Sequence, residues 1–124
     1  MRSRWQFGWV LLFGICGAMG SRAAVARAAE RDPVQDVVQR NREALELFET
    51  LEFDLARKTL EGTLAYASEA GIAEHRVVAR TRVYLAIVLA EGLHDDEAAL
   101  EQLRAALAID RAVELPAGRR SAQL

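Results

Sequence analysis

Residues 51–67, LEFDLARKTLEGTLAYA, and residues 94–110, HDDEAALEQLRAALAID, decide how this chain reads. Ala56, Leu60 and Thr63 in the first stretch have Ala99, Leu103 and Ala106 as counterparts in the second, each 43 residues further on and separated by the same steps of four and three. Steps of three and four return to one side of an α-helix. A small residue lets a neighbouring helix approach, a large one fills the space beneath it, and the next small one admits a third helix. The expectation is one helical hairpin used twice.

Each stretch has a helix in front of it. Asp32-Pro33-Val34-Gln35 predicts a helix start, with Asp32 as N-cap, Pro33 at the first helical position where its missing N–H costs nothing, and Gln35 three residues after the cap. Val34, Val37, Val38, Ala44, Leu45, Phe48 and Leu51 then form an apolar stripe, broken only by Asn41. A turn at Glu52-Phe53-Asp54 leads into a second helix, whose buried face is predicted at Leu55, Ala56, Thr59, Leu60, Thr63 and Leu64 and which Ser68-Glu69-Ala70-Gly71 closes.

A third helix is predicted from Glu74 to Glu91, with Val77, Thr81, Tyr84, Leu85 and Val88 on one face and Val83, Ile87 and Ala90 beside them, stopped by Gly92. Its later half is apolar nearly all round, so it should be the most buried. Asp95 caps the fourth, where Asp96 and Glu97 favour the positive end of the helix dipole; Ala99, Leu100, Leu103, Ala106 and Leu107 carry its buried face until Leu115-Pro116-Ala117-Gly118. No alternating β-branched run occurs. The predicted class is all-α, four helices in an antiparallel arrangement over residues 34–115.

The N-terminus is of another kind. Arg2 and Arg4 precede an apolar run from Trp9 to Met19, and Ala24-Val25-Ala26 supplies a small-x-small cleavage pattern, the marks of an export signal over residues 1–26. The run is shorter than the roughly 20 residues a membrane span needs. Export to the periplasm or the outside is therefore expected, with an inner-membrane anchor through residues 7–20 as the alternative. Cys16 lies inside the apolar run and follows Ile15, a poor context for lipid attachment. If the signal is cut, Cys16 leaves with it, which excludes disulfides, thiolate zinc sites and a cysteine nucleophile from what remains.

Composition supports a folded helical chain: 52% hydrophobic and 27% charged residues, with 2 Pro among 124. Arg2, Arg4 and Arg22 would leave with the signal and no acid would leave with them, taking the formal charge from −2 to −5. An acidic chain without a Lys and Arg stripe is a poor match for nucleic acid. Residues 27–33 read as a linker and 116–124 as a flexible tail.

Ala99-Leu100 and Ala106-Leu107-Ala108-Ile109-Asp110-Arg111 resemble the second helix and ending of the tetratricopeptide repeat, with Arg111 in place of the usual proline; Ala44, Ala56 and Leu60 resemble its first unit. Neither unit has the repeat's tryptophan, Thr63 and Ile87 stand where small residues are usual, and the 43-residue spacing exceeds the repeat's 34. The chain is also similar to helical modules near the N-terminus of secreted envelope proteins from large-genome bacteria such as myxobacteria, where a linker and a further domain follow. That resemblance implies the N-terminal part of a larger envelope protein as an alternative reading.

The tetratricopeptide resemblance implies a non-enzymatic module that binds a protein or peptide along the first helix of each pair. Asn41, Leu45 and Phe48 in the first unit and Tyr84, Val88 and Glu91 in the second are the residues it assigns to such a groove. The competing reading makes the apolar ones plain core. A docking unit for a second copy of the chain is a further alternative, in which Val113 and Leu115 would need cover. Glu91, His94, Asp95 and Asp96 gather one imidazole and three carboxylates near a single turn; a divalent ion is the chemical use for such a set, and helix capping the ordinary one. His75 has no nucleophile near it, and no phosphate loop, dinucleotide fingerprint or nucleophile elbow occurs. No catalytic residue, cofactor or metal is expected.

Overall fold

A computed structural model describes residues 31–116, and within them the chain forms four α-helices and no strand: α1 Pro33–Glu49, α2 Phe53–Glu69, α3 Arg76–Ile87 and α4 Asp96–Ile109. A π-helical turn, Val88–Gly92, continues α3. The predicted export signal, the linker as far as residue 30 and the tail beyond Pro116 lie outside the described residues. Among the described residues, those from Asp32 onward make one compact unit. No described helix is long and apolar enough to cross a membrane.

The caps explain the boundaries. The Asp32 carboxylate accepts from the Val34 N–H at 3.0 Å and Pro33 follows it, as the sequence predicts. At the other end of α1, Leu51 takes the left-handed conformation (φ 64°), its N–H donates to Phe48 O at 3.1 Å and the Glu52 N–H to Leu47 O at 2.9 Å. Such paired bonds satisfy the last carbonyls of a helix and turn the chain back. The same closure ends α2, with Gly71 (φ 75°) donating to Ser68 O and Ile72 to Ala67 O. Ile72 then packs on Val37, Ala67, Val77 and Val78.

His75 caps α3, its Nδ1 accepting from the Val77 N–H at 3.1 Å, so the helix begins at Arg76 rather than at Glu74. Asp95 caps α4 through the Ala98 N–H. The helix stops at Ile109, well before Leu115, because Asp110 is extended (φ −141°, ψ 106°) and its carboxylate accepts from the Ala112 N–H at 2.9 Å. Likewise the turn expected over Glu52-Phe53-Asp54 is shorter, and Phe53 already belongs to α2. Helix starts recur at a spacing of 43 residues, Pro33 with Arg76 and Phe53 with Asp96.

Burial follows the small residues more closely than the large ones. Ala44, Ala56, Leu60, Ala67, Ala99 and Ala106 are fully or almost fully buried, and α3 carries eight buried residues, the most of any helix. Five apolar residues predicted to be inside are exposed: Val38, Leu51, Leu55, Leu100 and Leu107. Four of them stand one residue, about 100° of rotation, from the buried residue that marks the contact line: Val37, Ala56, Ala99 and Ala106. Leu51, 73% exposed, is outside because it makes the left-handed turn.

Successive helices pack on one another, α1 on α2, α2 on α3 and α3 on α4, and α1 also touches α3. Three buried clusters share half-buried residues: Leu64 joins the first two, while Phe48, Tyr84 and Leu103 join the first and third. Polar ties cross the same seams. Tyr66 on α2 donates to Asp36 on α1 at 2.8 Å, with the Arg40 guanidinium 4.5 Å from the tyrosine ring centre. Arg82 on α3 donates to Gln102 on α4 at 2.9 Å. Thr63 and Thr81, both fully buried, donate to the carbonyls of Thr59 and Val77 one turn back, so neither hydroxyl is left unpaired at a tight contact.

Gly92 meets a different demand from helix termination. A Cβ there would lie 2.6 Å from Cγ and Cδ1 of Phe53. The π turn brings the backbone down onto that ring, and only glycine leaves room. Phe53 in turn stands 5.2 Å from Phe48, ring to ring, tilted by 55°.

Candidate functional site

The sides of α1 and α3 that face each other leave a groove of about 200 Å³. From α1 it is lined by Val38, Asn41, Arg42 and Leu45, a run at helical steps of three and four; from α3 by Val77, Arg80 and Tyr84 at the same steps. Asn41 is 5% exposed, and its Oδ1 has no hydrogen-bond partner. Asn41 and Tyr84 stand 43 residues apart. An unpaired buried carbonyl costs roughly 1–3 kcal/mol in a folded chain, so the position gains nothing for stability by being Asn.

The groove is also electrically one-sided. Arg42 and Arg80 line it and no Asp or Glu does. Among the described residues neither guanidinium has an ion pair or a hydrogen bond. On the far flank of α3 a wider hollow of about 450 Å³ lies between Arg76, Arg80, Val83 and Tyr84 and the stretch from Asp110 to Pro116. Arg80 and Tyr84 border both. Asp110 reaches Arg76 at 3.8 Å there, and Val113 packs against the cluster of Ala79, Val83, Ile87 and Ala106. Leu115 stays largely exposed.

Of the six residues assigned to a groove, Asn41, Leu45 and Tyr84 come together in it. Val88 does not: at 1% exposure it belongs to the core beside Leu60 and Leu85. Phe48 is half-buried and packs on the core and on Phe53. Glu91 is exposed and lies outside the groove lining. Val38, Arg42, Val77 and Arg80 were not assigned to a groove from the sequence, Val38 and Val77 being read there as core. For Arg80 a signal exists: one turn to either side stand Arg76, Val77, Val83 and Tyr84, so its own helix offers it no acid.

His94 takes a left-handed turn conformation (φ 56°), and Asp95 is engaged in capping α4. Among the described residues no three His, Cys, Asp or Glu side chains are grouped so as to hold a metal ion. The hydrogen bond to Asp36, with partial desolvation and the carboxylate charge, raises the pKa of Tyr66 above the ordinary 10.0, while Arg40 acts the other way. That tyrosine lies outside both concavities. Compared with protein families, curated proteins and solved structures, the chain matches none.

Proposed function

We propose that this chain is an exported, non-enzymatic interaction module, a tetratricopeptide-like adaptor of the cell envelope that docks a segment of another protein between α1 and α3. One observation carries the reading. Asn41 is buried on the groove lining with an unpaired carbonyl oxygen, a feature that lowers stability and makes sense where docking turns the side chain so that an incoming backbone N–H completes it. Support for two repeats comes from the helix starts and their caps: Asp32 with His75 and Glu52 with Asp95 stand 43 residues apart, as do the left-handed residues Leu51 and His94. Support for export rests on the pattern of residues 1–26.

The test is Asn41→Leu in the full chain, measured by thermal unfolding and by selection on a displayed library of seven-residue peptides capped at both ends. Leucine keeps the shape and removes the unpaired carbonyl, so the variant is expected to gain about 1 kcal/mol and to lose the peptides that the parent selects. A variant that is more stable and still selects the same peptides would remove the groove from the explanation.

A further inference from the structure

We infer that the segment docked between α1 and α3 is acidic and apolar in alternation, and that it is gripped by side-chain carboxylates along its length rather than by a chain terminus. The inference rests on the docking reading above and adds the chemistry of the partner.

Charge is the first ground. Arg42 and Arg80 border the groove from opposite helices, no acid lines it, and neither makes an ion pair among the described residues. Elsewhere the chain is acidic in balance, with a formal charge of −2 over its whole length. Two unpaired arginines facing one trough on such a chain make a local positive field that draws in carboxylates and repels basic segments. Because the two stand on different helices, and a chain end carries a single α-carboxylate, two side-chain acids match them better than one terminus.

The second ground is the apolar floor. Val38 and Leu45 flank Arg42 along α1, and Val77 and Tyr84 flank Arg80 along α3. An occupant that met only the charges would leave these uncovered, so apolar side chains must stand on either side of the acids. A third ground is the chain's own behaviour on the other flank of the same two residues. There the stretch containing Asp110, Val113, Glu114 and Leu115 borders Arg80 and Tyr84, with Asp110 on Arg76 and Val113 in the apolar cluster. Acid and apolar side chains thus already share that side of α3, and the groove offers the same partners on its opposite side.

The probes are three sets of seven-residue peptides, capped at both ends, in which Leu or Val alternates with Glu or Asp, with Lys, or with Gln. Binding to the full chain is measured by fluorescence anisotropy. The acidic set is expected to bind at least about tenfold more tightly than the other two, and Arg80→Glu to weaken it about tenfold while favouring the Lys set. Arg42→Glu should act in the same direction, and circular dichroism checks that both variants remain folded. Equal binding of the three sets, preference for Lys, or binding of the acidic set only when its C-terminus is left free would overturn the inference while leaving the groove as a docking site. Failure of all three sets to bind would overturn the docking reading with it.

Discussion

Leu51 adopts the left-handed conformation that closes α1, while Gly71 does the same work after α2. A side chain in that region costs roughly 1–2 kcal/mol, and Leu51 recovers little of it because its side chain lies in solvent. Leu51→Gly is therefore expected to stabilise the protein by about 0.5–1 kcal/mol after the entropy of glycine in the unfolded chain is subtracted, read from urea unfolding. Tyr66 offers the second case. Its folded-state pKa is raised, so its neutral form, and the hydrogen bond to the Asp36 carboxylate, favour the fold from neutral pH up to the ordinary 10.0. That contribution is lost as pH climbs through the raised value. The stability difference between the parent and Tyr66→Phe should accordingly be flat through neutral pH and vanish in strong alkali; a difference that grows with pH would contradict the assignment.

At the scale of the helices, the starts marked by Asp32 and Asp95 were legible, since a short acid followed by a helical apolar pattern leaves few alternatives. Ends were harder. Asp110 stops α4 through its own Asx bond to Ala112, a local competition that an apolar pattern running on to Leu115 conceals. The buried stripes were read too wide because alanine and leucine count alike as apolar, whereas close packing puts the alanine on the contact line and turns the next leucine outward. The tetratricopeptide resemblance assigned Val88 to the groove and passed over Arg80; both lie on α3 and the turn that continues it, where nearly every side has a neighbour and only the packing decides which side remains open. The π turn was not legible at all; it brings Gly92 against Phe53, a residue distant in sequence. Gly92→Ala should push a methyl group into that ring and cost about 1–3 kcal/mol, measured by thermal unfolding. A shift of the size expected from helix propensity alone would mean that the ring moves aside freely.

Across the whole unit, the three apolar clusters are not separable, because Leu64, Phe48, Tyr84 and Leu103 each belong to two. The four helices are expected to melt together, with calorimetric and van't Hoff enthalpies in agreement; two resolved transitions would show that the hairpins are independent. This interlocking also explains how so short a chain manages with alanines at its tightest contacts, each helix being held by the next rather than by a central mass of large side chains. The order of packing, each helix on its successor, has a kinetic meaning as well. Most contacts join segments close in sequence, so little loop entropy stands in the way of any one of them, and chains of this kind reach their native state in microseconds to milliseconds. The meetings of α1 with α3 and of α2 with the π turn span longer intervals. The groove is thus assembled late, when the third helix arrives beside the first.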